Sequence, residues 1–278
     1  MTGAGAGLGQ RYALDLAREG ARVIVHSRRA EAAQATTDAI VTGGGSAVAV
    51  AADAQDGERI VEAAMAAYGR VDALIVNAGS VSDRSFARMT PDEWNNVVDV
   101  HLQGAFSVTR AAWPHLLEGG GGRIVLTTSG AGLHGNFGQA NYAAAKAAII
   151  GLAKTLAVEG QRRGILVNAV APMALTGMTD DVFNELQRDA LRAERVSPFV
   201  QALVHPRSRH TGVVMEVGGG WASVVRWERS AGLRLNDTEL SADVVLDRWN
   251  EITDFTVSDY PTSTVDSLHG ATGHQVPG

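Results

Sequence analysis

Short apolar, β-branched runs alternate with Ala-rich stretches of helical length from the amino terminus to about residue 220. The runs at 22–26 (RVIVH), 46–51 (SAVAVA), 72–77 (DALIVN), 123–127 (RIVLT), 165–170 (ILVNAV) and 213–217 (VVMEV) predict strands. The stretches at 10–19, 56–68, 92–117 and 142–159 predict helices between them. Strands that are apolar throughout are buried on both faces, so the pattern predicts an α/β fold with a doubly wound parallel sheet and right-handed crossovers. Gly20 and Gly69 follow helical stretches as left-handed caps do, and Thr90, Pro91 and Glu93 read as a capping box with proline in the first turn. Past Trp221 the periodicity is lost. Residues 1–220 are therefore expected to form one dinucleotide-binding catalytic domain, and 221–278 an appendage, helical around 241–252 and loose beyond Pro261.

Composition narrows the partners. A 278-residue chain that is 45% hydrophobic can build one sizeable core. A net charge of -6 without a long basic run disfavours nucleic acid and anionic membrane surfaces, which leaves a small-molecule partner. The absence of cysteine removes thiol nucleophiles and thiolate metal sites, and no metal site is expected. No apolar stretch approaches the roughly 18 residues of a membrane span, and no signal-peptide pattern opens the chain. The end HQVPG is no common retention or peroxisomal address. A cytoplasmic location is the expectation.

Candidate chemistry begins with MTGAGAGLGQ. Its glycines do not match G-x-G-x-x-G, but Gly3, Gly7 and Gly9 match G-x-x-x-G-x-G. Such a loop lets backbone N–H groups approach a pyrophosphate at the start of the following helix, with Leu8 inside the run; a plain turn is the alternative. The run at 22–26 leads into Ser27, Arg28 and Arg29, where an NAD site would carry an acid for the ribose hydroxyl. A serine and two arginines suit a 2′-phosphate, which favours NADP over NAD as cofactor; a solvated loop is the other reading. Ser129 lies just beyond the run RIVLT, and thirteen residues later comes Tyr142 in YAAAK, with Lys146 one helical turn on. An ammonium beside a phenol favours phenolate, so this spacing predicts a tyrosine with a lowered pKa that gives or takes a proton during hydride transfer, and a serine that holds the substrate oxygen.

Together, TGAGAGLG, Asp53, Asn77-Ala78-Gly79, Ser129, Tyr142 with Lys146, and Pro172 resemble the short-chain dehydrogenase/reductase family over essentially all of 1–220. The stretches SDRSFARMTPDEWNNVVDVHLQGAFSVTRAAW, GNFGQANYAAAK and GGGWASVVRWERSAG resemble its (3R)-hydroxyacyl-CoA dehydrogenase branch, found in peroxisomal multifunctional enzymes of type 2 and bacterial relatives. The resemblance implies a Rossmann fold and an NAD(P)-dependent oxidoreductase that interconverts a secondary alcohol and a ketone, with a 3-hydroxyacyl or 3-oxoacyl thioester as substrate. Reduction of another ketone, a non-catalytic truncated remnant and a partner subunit are the alternatives. It implies Tyr142 as general acid/base, Lys146 on the nicotinamide ribose, Ser129 on the reacting oxygen, Asp53 on adenine, Asn77 along the cofactor cleft, and 172–179 closing over nicotinamide and substrate. The fourth catalytic position, commonly asparagine, is His101; a packed histidine is the alternative there. A homodimer or homotetramer built on 92–117 and 142–159 is implied as well. The branch carries an acid after the second strand and uses NAD, so Ser27 and Arg28 depart from it.

The family also places an apolar strand ahead of TGAG. In the strand order 3-2-1-4-5-6 that strand is central, and here Met1 and Thr2 alone precede Gly3. The expectation is that the first strand is missing, that Met1 stands at its last residue, and that the reading frame starts upstream. Without the strand, two neighbours keep unpaired backbone groups, a cost expected to exceed the roughly 5–15 kcal/mol by which a domain is stable.

Overall fold

The computed structural model describes residues 1–174 and 185–273, and the chain divides into two units, Met1–Val224 and Val225–Gly278. The alternation of the first unit becomes β1 (Arg22–Ser27), β2 (Ser46–Ala51), β3 (Ala73–Val76), β4 (Gly122–Thr127), β5 (Ile165–Met173), β6 (Val214–Gly218) and β7 (Trp221–Val225). Around them lie α1 (Gly7–Arg18), α2 (Ala30–Thr42), α3 (Gly57–Tyr68), α4 (Pro91–Val98), α5 (Gly104–Glu118), α6 (Gly130–His134), α7 (Ala140–Gln161), α8 (Glu185–Ala190) and α9 (Ser197–Val204). β1 pairs with β2 in parallel, and β3-β4-β5-β6 run parallel in a second sheet that ends in β7. β7 ends at Val225, next to the division between the two units.

Between β1 and β3 stands a stub of two residues. The Met1 amine donates to Ile24 O at 3.0 Å, His26 N–H donates to Met1 O at 3.2 Å, and Thr2 N–H donates to Ile75 O at 3.0 Å. Met1 and Thr2 thus bridge the backbones of β1 and β3. On one face of the sheet Tyr12, Ile75, Val125, Val170, Val200 and Val217 pack together; Ala13, Val23, Val25, Ala33 and Ile40 form a second cluster.

Local chemistry sets the element ends. Thr90 Oγ1 accepts from Glu93 N–H at 3.2 Å while Glu93 accepts from Thr90 N–H at 2.8 Å, the expected capping box. Gly69 closes α3 at φ 70°, which only glycine adopts freely. The helix expected over 92–117 is interrupted: a π-turn, Asp99–Gln103, separates α4 from α5. One extra residue in the turn rotates α5 relative to α4, and it seats His101 inward.

The second unit holds β8 (Arg229–Ser230), α10 (Ala242–Asp247), α11 (Trp249–Ile252), β9 (Ser258–Asp259) and α12 (Thr264–Thr272). The expectation of loose chain beyond Pro261 is overturned by α12, which Ser263 and Asp266 start with a reciprocal capping box. None of this unit's described residues is buried. It is held by polar contacts: Arg229 forks onto Asp259 at 2.6 and 2.9 Å, and the Arg226 guanidinium lies 3.5 Å from the Tyr260 ring centre.

Candidate active site

The glycine run folds into a loop between the stub and α1. Thr2 is buried, and its Oγ1 accepts from the N–H groups of Asn77 at 3.0 Å and Ala78 at 3.1 Å, which ties the loop to the end of β3. Gly3 sits at φ 65° with its Cα against Ala78, where a Cβ would lie 2.7 Å from the Ala78 Cα. Gly3 N–H points at His26 Nδ1 at 3.4 Å, and His26 Nε2 lies 3.0 Å from Ala52 O. The buried His26 ring thereby links the loop to the turn that carries Asp53; burial lowers its pKa and keeps it neutral, as an Nδ1 acceptor requires. A Cβ on Gly5 would meet Ser27 Oγ at 2.8 Å, so the loop runs tight against the end of β1.

Helix α1 starts at Gly7, and Ala6 before it offers no side-chain cap. No acid stands in the first turn. Its leading N–H groups and dipole are therefore available to an anion, which fits a dinucleotide pyrophosphate. Gly9 packs on Gly3 and Asn77, and Leu8 packs against the core. Ser27 Oγ accepts from Arg29 N–H at 3.2 Å, and Arg28 is exposed beside it. Asp53 is exposed, with its carboxylate accepting from Gln55 N–H at 2.9 Å. Asn77 Nδ2 reaches Gly3 O at 3.4 Å. These residues gather at the carboxyl ends of the strands, where open α/β sheets bind ligands.

Ser129 follows β4 and is the N-cap of α6, its Oγ accepting from Ala131 N–H at 3.2 Å. Tyr142 and Lys146 project from successive turns of α7. Lys146 Nζ donates to Thr127 O at 2.6 Å and lies 5.7 Å from the Tyr142 ring centre. Thr128 Oγ1 donates to Lys146 O at 2.6 Å, which clamps this turn of α7 to β4. The expected lowering of the Tyr142 pKa is overturned. Burial raises it, a hydrogen bond with Ser129 offsets part of this, and the Asp83 charge adds to the rise. Lys146 is not among the groups that shift it, and burial pushes the lysine's own pKa down to about 7. The protonated phenol is therefore the favoured form.

His101 lies in the π-turn, 3% exposed, with its ring edge-on to Tyr142 at 5.1 Å between centres. Nε2 is 2.6 Å from Ser80 O and 3.1 Å from Ser80 N. Nε2 faces both the carbonyl and the N–H of Ser80 and serves one of them according to the ring's tautomer, while Nδ1 is buried with no partner among the described residues. Burial, then the Lys146 charge, push its pKa down to about 3. A Cβ on Gly79 would collide with the ring, so glycine there is what admits histidine at 101. Pro172 is the second-last residue of β5; of the segment expected to close over the cleft, 175–179 lies outside the described residues.

Four residues of this site were not singled out by the sequence. Thr2 and His26 hold the glycine loop, Ser80 holds His101, and Asn141 Nδ2 donates to Ser82 O at 3.1 Å and Glu93 O at 3.0 Å, fixing the start of α7. Thr2 and Asn141 stand inside the quoted TGAG and NYAAAK runs; His26 and Ser80 carry no spacing signal.

A family model described as short chain dehydrogenase matches residues 1–187. A short-chain type dehydrogenase/reductase of Mycobacterium tuberculosis is 40% identical over 91% of this chain and 93% of its own. Peroxisomal multifunctional enzyme A of Dictyostelium discoideum is 42% identical over 97% of this chain, and peroxisomal multifunctional enzyme type 2 of Mus musculus 41% over 97%. The chain spans 63% and 38% of the length of those two relatives. Among solved structures, the type 2 multifunctional enzyme of Drosophila melanogaster superposes with a TM-score of 0.87 at 35% identity, covering 98% of this chain and 48% of that one. A short chain dehydrogenase from Mycobacterium avium gives 0.78 at 39% identity, covering 90% and 94%.

Proposed function

This chain belongs to the short chain dehydrogenase family and is an oxidoreductase acting on CH–OH groups, and on that premise we propose that it interconverts 3-hydroxyacyl-CoA and 3-oxoacyl-CoA thioesters with NADP(H). The observation that carries the reading is the cluster of Ser129, Tyr142 and Lys146, with a phenol kept protonated beside a serine hydroxyl. When bound, the nicotinamide supplies or accepts the hydride. The residues of the chain handle the proton: in reduction Tyr142 Oη gives its proton to the oxygen of the former ketone, and in oxidation it receives the proton of the alcohol. Ser129 orients that oxygen by a hydrogen bond. Lys146 stands near the phenol at a pKa of about 7, poised to restore its proton.

The thioester reading draws support from the rim. The backbone N–H of Arg84 donates to Gly138 O at 2.8 Å, and Gln139 Nε2 donates to Asp83 at 2.8 Å, joining the 80–88 stretch to the loop before α7. On these two segments Phe137 is 91% exposed and Phe86 77% exposed. Two bare rings on paired segments near Tyr142 suit an apolar acyl chain. The cofactor reading rests on Ser27 and Arg28 beside the tight Gly5 approach, with no carboxylate at the end of β1. A homodimer or homotetramer through α5 and α7 is consistent with exposed Phe106 and Val158 on those helices. A cysteine-free chain suits a reducing compartment such as the cytoplasm, while several relatives are named peroxisomal.

The test is reduction of short- and long-chain 3-oxoacyl-CoA followed with NADPH and with NADH. Faster turnover with NADPH is expected, together with a fall in kcat of about 10²- to 10⁴-fold in Tyr142→Phe. Arg28→Glu is expected to raise the KM for NADPH about tenfold or more and to affect NADH little. Retained activity in Tyr142→Phe would overturn the proton role, and equal use of both cofactors in the wild type would overturn the phosphate reading.

A further inference from the structure

The stretch 80–84 passes Tyr142 between two anchorages. At one end Ser80 bonds to the His101 ring, which stands edge-on to the phenol ring at 5.1 Å between centres. At the other end three hydrogen bonds splice the stretch onto the start of α7. Asn141 Nδ2 donates to Ser82 O at 3.1 Å, Gln139 Nε2 to Asp83 Oδ2 at 2.8 Å, and Arg84 N–H to Gly138 O at 2.8 Å. Asp83 thus lies between two residues that are themselves pinned, with its carboxylate held by the residue that precedes α7. Tyr142 is the third residue of that helix. The positive end of a 22-residue helix favours phenolate in its first turn, yet α7 has no acid there and Gln139 makes no side-chain cap bond. Asp83 brings the missing negative charge from another part of the chain.

We propose that Asp83 sets the pH at which Tyr142 gives up its proton, its carboxylate opposing the helix dipole and holding the phenol in the form that donates to a ketone oxygen. This rests on the proton role given to Tyr142 above, and Asp83 acts through the phenol as a positioning residue rather than on the reacting atoms. Loss of the proton leaves a phenolate beside a like charge, so the donating form persists to higher pH. The other charged groups around this turn leave the carboxylate uncontested. Lys146 is pushed down to about 7 by burial, so it carries no charge where a phenol titrates. His101 is neutral, pushed down to about 3 by burial and by the Lys146 charge. Glu93, on α4, accepts from Thr90 N–H and from Arg84 Nε at 2.6 Å, and His134, on α6, lies 3.6 Å from Glu216 of β6. Asp92 of α4 and Asp99 of the π-turn are not among the groups that shift the phenol, whereas the Asp83 charge raises it. Asp83 is exposed, so salt screens its field.

The experiment follows the Tyr142 phenol directly by NMR, in the full chain labelled with carbon-13 at the tyrosine Cζ, its resonance identified as the one lost in Tyr142→Phe. Its pH titration is compared in the wild type, in Asp83→Asn, which keeps the shape and removes the charge, and in Asp92→Asn, which removes an exposed acid from α4. The midpoint in Asp83→Asn is expected to lie about half a pH unit or more below that of the wild type, and in Asp92→Asn to match it. Gln139→Leu, which releases the carboxylate from α7, should move the midpoint the same way by a smaller step. Raising salt from about 0.05 M to about 1 M should lower the wild-type midpoint and leave that of Asp83→Asn nearly fixed. The pH profile of kcat for oxidation of a 3-hydroxyacyl-CoA with NADP⁺ should move down by the same amount in Asp83→Asn. Equal midpoints in the wild type and Asp83→Asn, or an equal fall in Asp92→Asn, would overturn the proposal. The titration needs no substrate and so decides the role of Asp83 by itself, whereas failure of the proton role would show as retained activity in Tyr142→Phe.

Discussion

Buried and bonded through Nζ to the Thr127 carbonyl, Lys146 is held down to about 7 in the fold, whereas an unfolded chain returns it to its ordinary value of 10.5. Between those two values the unfolded chain binds a proton that the folded chain does not, so the lysine makes stability rise with pH across the window. Below about 7 both states carry the proton and the cost of burying the charge is fully present. Over the window the gain is roughly 3–5 kcal/mol. Tm measured from pH 6 to pH 10 should climb more steeply in the wild type than in Lys146→Met; parallel curves would contradict the assignment. The spacing that made Ser129, Tyr142 and Lys146 candidates is local to one loop and one helix, and so could be read from the chain. Their charge states could not. The phenol's pKa goes up, against the expectation, because burial outweighs the hydrogen bond with Ser129 and the Asp83 charge adds to the rise.

Helices α3 and α5 meet where Gly57 lies against the backbone of Ser107 and Val108, and Gly57 N–H donates to Ser107 Oγ at 3.1 Å. A methyl group there would run into main-chain atoms that no rotamer change can move aside. Gly57→Ala is therefore expected to destabilise the fold by about 1–3 kcal/mol, although alanine is the better helix former; urea titration measures it, and a gain in stability would contradict the close packing. Thr90→Ala, which removes one arm of a capping box at an exposed helix start, should cost about 1 kcal/mol. Caps of this kind are legible because their partners sit within four residues. The π-turn at Asp99–Gln103 is not, since the apolar period through VVDVHLQGAF reads as continuous helix. What selects the extra residue is tertiary: the His101 ring reaches Ser80, twenty-one residues earlier, through the space that Gly79 leaves open.

The two units differ in what holds them. The first has a sheet buried between helices, and its strand order follows from the strand–helix alternation. The second has no buried residue among those described, and Trp227, Leu240, Leu246, Trp249 and Phe255 are each more than half exposed. Its helices α10 and α11 have six and four residues, too few to print a period on the sequence, and α12 is set by its capping box rather than by an apolar stripe. Exposed ion pairs such as Arg229–Asp259 contribute little against the entropy of ordering such a chain. Local opening should therefore require least free energy between Val225 and Thr272. Limited proteolysis under native conditions is expected to cut there first and to leave a fragment close to Met1–Val224. That fragment carries the glycine loop, Ser129, Tyr142 and Lys146, so its Tm should still rise with NADP⁺, because a ligand that binds only the folded state stabilises it by mass action. First cuts within the α/β unit would instead place the weakest region at the divided sheet, where Met1 and Thr2 stand between β1 and β3. A fragment whose Tm no longer responds to the nucleotide would show that the second unit contributes to its binding.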